Sequence, residues 1–218
     1  MTLSIQLCAR EETIFSVGSI YYKITSLIDR TVEVAPIQIV CGYYSGDIVV
    51  PDSVEYNGTY YKVTALGDEA FHRAIITSLV LPTGIQTVGE YCFNTAKLPI
   101  SLTLPDSLKT IKYGAFCSAM NIVHISIPAA TENIGIRALS VAGLQSITVD
   151  TANEHYISID GVLYTKDTTK LLQCPAAKTG TFTIPNGVKY VEELAFEVSK
   201  LQTVIMPNGV NIIKSVLC

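Results

Sequence analysis

The stretch LPDSLKTIKYGAF (Leu104–Phe116) returns with different letters as LPTGIQTVGEYCF (Leu81–Phe93) and IPNGVKYVEELAF (Ile184–Phe196). With the proline as origin, Pro82, Pro105 and Pro128 stand 23 residues apart and Pro185 and Pro207 stand 22 apart. Asp150 holds the proline's place 22 residues after Pro128. A fixed period in the twenties marks a solenoid, in which each copy makes one coil and buries its apolar face only against the next.

Columns around the origin write the core. Leu81, Leu104, Ile127, Val149, Ile184 and Met206 stand one residue before it, and Leu79, Leu102, Ile125, Ile147, Phe182 and Val204 stand three before. This alternation predicts a short strand with one buried face, which proline ends because it has no N–H for a continuing ladder. Ile85, Leu108, Val188 and Val210 follow three after, with Thr131 the exception. Val88, Ile111, Ile134, Val191 and Ile213 come six after and turn the chain back. Cys92-Phe93, Ala115-Phe116, Ala138-Leu139 and Ala195-Phe196 place a large side chain between coils, and Ala70-Phe71 closes an earlier copy.

Two segments break the period. Val54–Val63 carries Asn57-Gly58 between aromatic and β-branched residues, the strongest short hairpin signal. Asn57-Gly58-Thr59 is also a glycosylation sequon, but the turn reading is preferred. The second break, Tyr156–Pro175, reads as two strands, IDGVLY and KLLQC, joined around Lys166–Thr169. Ahead of the repeats, SIYYKIT and TVEVAP flank Leu27–Arg30 and predict a hairpin that caps the open end. The expected organisation is a frayed or processed segment 1–14 and one solenoid, 15–218. Within it, 15–40 is the capping hairpin and 41–218 the repeats, with hairpin insertions near 54–63 and 156–175 and an incomplete last repeat.

These phrases resemble the BspA-like leucine-rich repeats, whose pattern is roughly I-P-x-x-V-x-x-I-G-x-x-A-F. The interruption IDGVLYTKDTTKLLQCP and the opening YSGDIVVPDSVEYNGTYYKVTALGDEAF resemble the same family, so the likeness runs over about residues 15–213. It implies a mainly β, right-handed leucine-rich-repeat solenoid with short strands and few short helical turns. It also implies a secreted or cell-surface setting, with adhesion to host or extracellular-matrix proteins. Family repeats often carry cysteine three residues after the phenylalanine; here that column is Ala74, Ala96, Ala119, Ala142 and Ser199. No thiol-dependent property is therefore carried over.

Composition narrows the function. Only 16% of the residues are charged and the net charge is −4, with no local Lys/Arg cluster, so a nucleic-acid partner is not expected. No apolar run is long enough to span a bilayer. The six cysteines are never closer than 25 residues, which argues against a zinc ribbon or a C-x-x-C redox site. Cys92 and Cys117 fall in different columns and are expected as free thiols. Twelve tyrosines include the pairs Tyr21-Tyr22, Tyr43-Tyr44 and Tyr60-Tyr61, of which strand alternation should bury one member each.

The outward columns of the pre-proline strands give the candidate binding face: Ser78, Ser101, Thr103, His124, Ser126, Ser146, Thr148, Thr181, Thr183 and Thr203. Concave solenoid faces present extended binding surfaces, although Ser/Thr ladders also stabilise strands through cross-strand pairing alone. His124 has Ser101 and Ser146 as column neighbours, yet the one acid in these columns is Asp47, far along the stack. A nucleophile needs both a base and a group orienting that base, so no catalytic residue is assigned. Asp68, Glu90 and Glu193 share a column that Tyr113 and Ile136 interrupt, which favours a solvated face over a calcium stripe. His72 and His155 sit elsewhere, and no metal or cofactor is expected. The reading is a non-enzymatic binding module for a protein ligand, with a structural spacer within a larger surface protein as the alternative. Val210, Ile213, Val216 and Leu217 would leave an open C-terminal coil, through which a homodimer could pair.

Overall fold

The structure is a computed structural model that describes residues 13–37, 42–100, 102–210 and 212–213, the last two by backbone only. An antiparallel meander of β1 (Ile14–Val17), β2 (Ile20–Ser26) and β3 (Thr31–Ala35) stands at the N-terminal end. β4 (Ser45–Val49) opens the first coil, followed by the hairpin β5 (Ser53–Tyr56) and β6 (Thr59–Leu66). β7 (Ile75–Val80), β8 (Thr87–Val88), β9 (Thr110–Ile111), β10 (His124–Ile127), β11 (Asn133–Ile134) and β12 (Ser146–Val149) carry the middle coils. A second meander follows: β13 (Tyr156–Ile159), β14 (Val162–Thr165) and β15 (Lys170–Gln173). β16 (Thr179–Thr183), β17 (Tyr190–Val191), β18 (Lys200–Ile205) and β19 (Ile212–Ile213) complete the stack.

Each coil has three sides. On the first, the pre-proline strands pair in parallel as β4–β7, β10–β12 and β16–β18. On the second, the residues expected only to turn the chain back form short strands of their own. There β3, β6, β8, β9 and β11 run as parallel neighbours, and β15, β17 and β19 do the same farther along. The capping meander therefore works by edge extension: β3 pairs with β6 and lengthens this second sheet.

The third side is a corner of consecutive tight turns, and no helix occurs among the described residues. Two left-handed residues mark each regular corner, Tyr91 (φ 50°) with Thr95 (φ 55°) and Gly114 (φ 59°) with Ser118 (φ 55°). Left-handed backbone costs an L-residue about 1–2 kcal/mol. Two sets of hydrogen bonds offset that cost. Turn bonds close within the coil, such as Ala96 N to Phe93 O at 3.0 Å, and alternate donors reach the next coil, such as Phe93 N to Ala115 O at 2.7 Å. No backbone donor of Phe71, Phe93 or Phe116 is wasted, because each lies against a carbonyl one coil on.

Inside, the Phe column is a stack. Phe71 and Phe93 lie 5.4 Å apart at 9°, Phe93 and Phe116 5.0 Å apart at 15°, and Tyr44 caps the row 5.1 Å from Phe71. The spacing follows the roughly 4.8 Å between neighbouring strands. Close approach also explains Gly89: a Cβ there would sit 2.5 Å from the Asp68 nitrogen and the Gly67 carbonyl carbon. Thr131, the apolar column's exception, is fully buried and donates its hydroxyl to Leu108 O at 2.8 Å. Tyr22, Tyr44 and Tyr61 are the buried members of the tyrosine pairs, while Tyr43 and Tyr60 face solvent.

One expected strand and two column positions differ in the structure. IDGVLY is not one strand: Asp160 (φ 50°) and Gly161 (φ 79°) form the turn between β13 and β14, the same chemistry as Asn57 (φ 50°) and Gly58 (φ 74°). Ala142 is exposed and Val141 takes the inward place, because the following origin comes one residue early. Met206 is half exposed, although its column is otherwise buried or half-buried. Residues 1–12 and Val216–Leu217, on which the frayed N-terminus and the open C-terminal coil were expected, lie outside the described residues.

Truncation of the middle ring should be costly. Phe93→Ala is expected to lower stability by about 3–5 kcal/mol in a denaturant melt, whereas Ser126→Ala on the outer face should change it by less than about 0.5 kcal/mol. Equal losses for the two would contradict the column assignment.

Candidate binding face

Alternation along β10 and β12 shows how the face is made. Ile125, Ile127 and Ile147 point into the core, and His124, Ser126 and Thr148 point out, with Ser146 half-buried. Parallel pairing sets His124 opposite Ser146 and Ser126 opposite Thr148. Ser78, Thr103, Thr181, Thr183 and Thr203 are exposed as well, and Thr181 pairs with Thr203 in register. Ser101 lies outside the described residues.

These side chains do not form one unbroken ladder. The face is divided into three parallel pairs of strands: Leu102–Leu104 is not strand-paired, and the Asp160–Gly161 turn inserts beside β12. There Ile147 N donates to Gly161 O at 3.0 Å and Ser158 Oγ to Ile147 O at 2.5 Å. Ser78, Thr103, His124, Ser126, Ser146 and Thr148 thus precede the inserted turn, and Thr181, Thr183 and Thr203 follow it.

Part of the polar surface is already engaged. His124 Nδ1 and Ser146 Oγ lie 2.7 Å apart. Asp47 accepts from Thr77 Oγ1 at 2.5 Å and Ser78 Oγ at 2.8 Å, and these two hydroxyls hold its carboxyl below the usual carboxylate range. The acid thus serves β7 and not the histidine. No cluster of three metal-ligating side chains occurs among the described residues.

The outward columns also carry aliphatic side chains, which are not among the Ser, Thr and His residues expected to form the face. Val49 is 61% exposed and Val80 55% exposed, one opposite the other in the β4–β7 pair. Beside them Leu79, Leu81, Thr103, Leu104 and Pro105 line a shallow groove between neighbouring coils. The signal was present in the alternation, since Val80 shares its column with Thr103 and Ser126. Its meaning was hidden because one aliphatic residue in a column carries no information about its neighbour.

In the acid column Asp68 is engaged locally, as is Glu192 next to Glu193. Asp68 accepts from Glu90 N at 2.8 Å and Lys112 Nζ at 3.0 Å. Partial burial works against ionisation, but the backbone donor and the ammonium prevail and keep its pKa low. Glu192 pairs with Lys170.

The model of the BspA type leucine-rich repeat region matches in six copies, over residues 63–170 and 173–217. The chain belongs to the BspA-type leucine-rich repeat family. No curated protein matches it. Among solved structures, the pneumococcal vaccine antigen PcpA superposes with a TM-score of 0.64 at 16% identity, over 91% of this chain and 65% of that one. A leucine-rich repeat protein from Eubacterium ventriosum ATCC 27560 gives 0.59 at 22% identity, over 91% and 61%. A leucine-rich cell surface protein from Faecalibacterium prausnitzii A2-165 gives 0.52 at 21% identity, over 93% and 73%. At such identities the likeness is one of fold. The chain spans about two-thirds of the PcpA structure.

Within this BspA-type solenoid Cys92, Cys117 and Cys174 are buried and free. Burial pushes the Cys174 thiol from 9.0 up to about 11 and drives Cys92 higher still. Burial likewise raises Tyr44 and Tyr164 from 10.0 to about 12, against a backbone hydrogen bond to Tyr21 in the first case and with the neighbouring Cys174 in the second. Acids whose folded pKa is raised stabilise the fold below their ordinary pKa and lose that contribution as pH climbs through the folded value. The denaturant midpoint should therefore fall steadily between about pH 9 and pH 12. These three thiols should also resist alkylation at pH 8 until the chain unfolds, as thiol counting with and without denaturant would show. A flat alkaline profile would contradict the burial argument.

Proposed function

We propose that the chain is a non-enzymatic binding module of a secreted or cell-surface protein, engaging a protein ligand through the outward face of its pre-proline strands. The observation that carries this reading is the contrast along β10 and β12. Ile125, Ile127 and Ile147 anchor the sheet inward and Ser126 and Thr148 stand exposed on a rigid backbone, with Val49, Val80 and the groove at Leu81 farther along the same outward side. Hydroxyls set at about 4.8 Å across strands and about 6–7 Å along them offer donors and acceptors at low entropic cost. Aliphatic side chains at one end supply apolar area whose burial by a partner is worth about 25 cal/mol per Å².

Membership of the BspA-type family supports this reading, as do the cell-surface protein and the vaccine antigen among the structures of the same fold. Adhesion to host or extracellular-matrix proteins is the specific role we propose. We assign His124 no catalytic role: it meets Ser146, and no hydrogen bond to an orienting acid is made by its ring among the described residues. Among the described residues no helix is long and apolar enough to cross a membrane.

Binding to an array of immobilised matrix proteins tests the proposal. Ser126→Arg with Thr148→Arg, and separately Val80→Asp, should each weaken the captured interaction at least about tenfold while leaving the melting temperature within about 2 °C. Unaltered binding in both variants would reject the face. Self-association in place of any captured ligand would favour a structural spacer, in which His124–Ser146 and Asp47–Ser78 serve strand pairing alone.

A further inference from the structure

The stack is not uniform along its axis. Its apolar side chains fall into two separate cores, one running from Ile20 to Leu163 and the other from Val162 to Phe196. They meet along β14, whose alternation sends Leu163 to the first core and Val162 and Tyr164 to the second. The second side of the coil is divided at the same level. One sheet ends at β11 and another begins at β13, and the hydroxyl of Tyr156 links them by accepting from Ile134 N and donating to Glu132 O, both at 3.0 Å.

At this level one corner is cut short. After β15, Cys174 takes the phenylalanine position, its N–H donating to Ala195 O at 2.8 Å. Pro175 follows at once and lacks the donor that a continuing turn needs. No pair of left-handed residues appears there. The full corners on either side are therefore separated by about two strand spacings, roughly 10 Å.

One side chain crosses that gap. Arg137 donates from Nε to Glu197 Oε2 at 2.8 Å and from Nη2 to Glu197 Oε1 at 2.6 Å. Ser140 Oγ donates to the same carboxylate at 3.1 Å, and Tyr113 shares a hydrogen bond with the guanidinium. The side chains of Arg137 and Glu197 are 28% and 21% exposed. A two-pronged, partly shielded pair of this kind fixes orientation in a way that a single surface ion pair does not.

We infer that the chain consists of two cooperatively folding blocks that meet at β14, and that the Arg137–Glu197 pair is the clasp that locks them at one angle. The junction is the compliant point of the solenoid, and opening the clasp frees the second block. His124, Ser126 and Thr148 lie on the first block and Thr181, Thr183 and Thr203 on the second. The clasp thus also sets the angle between the two parts of the outward face, although the inference does not depend on what that face binds.

Hydrogen exchange read by mass spectrometry on the whole chain tests it. In Glu197→Gln and in Arg137→Gln, amide protection over residues 182–205 should fall about tenfold, and protection over residues 62–127 should hold. The charge swap Arg137→Glu with Glu197→Arg should recover much of the loss. The unmodified protein gives an independent reading if a variant fails to fold. Raising salt from about 0.05 to 1 M should lower protection in the same second block, by less than the substitutions do. Equal change in both blocks, no change in either, or no recovery in the swap would overturn the inference.

Discussion

Each regular coil must lie within a strand spacing of the next, and the backbone hydrogen bonds that hold it there are found on all three sides of the stack. Phe93 N meets Ala115 O at the corner, Val88 pairs with Ile111 on the short-strand side, and Ile125 pairs with Ile147 on the outer face. A spacing of about 4.8 Å leaves room for stacked rings but not for a Cβ facing the neighbouring backbone. The phenylalanine row and Gly89 are consequences of the same distance. So is the tolerance of left-handed residues at the corners, since each strained position stands in a run of turns closed by bonds within the coil and to the next.

The inserted meander interrupts that order without ending it. β15 rejoins the short-strand column beside β17, so the backbone ladder resumes. The corner does not resume on the same coil, because Pro175 removes a donor and the chain passes on to β16. Where backbone bonding lapses, side chains take over: the Tyr156 hydroxyl on one side and the Arg137–Glu197 pair on another. Both are partly buried and both are charge-assisted or doubly bonded, as a side-chain substitute for a ladder must be. Two cores rather than one are the outcome.

On the outer face the same regularity leaves an ambiguous surface. Parallel, in-register strands bring like residues together, so hydroxyls meet hydroxyls and His124 meets Ser146 whether or not a ligand is present. What strand pairing does not require is the exposed Val49–Val80 pair and the groove beside it. A facing valine pair adds roughly 0.2–1 kcal/mol to the sheet, but it leaves in water an apolar area that a partner could bury. That is why the pair weighs toward a binding role.

The period, the buried columns, the hairpin turn at Asn57-Gly58 and the free state of Cys92 and Cys117 were legible in the sequence. Each follows from hydropathy and turn chemistry repeated within a few residues, and repetition over several coils averages out local noise. The outward position of Ser126, Thr148 and Thr181 followed from the same alternation. The tertiary structure alone decided the short second sheet, the inward place of Val141, the division of the Ser/Thr face and the pairing of Arg137 with Glu197. The Asp160-Gly161 turn could have been read, since it has the chemistry of Asn57-Gly58, but it sat inside an apolar run that looked continuous. For Arg137 no local signal exists: its partner is 60 residues away, and the two meet because the coil between them lacks its corner.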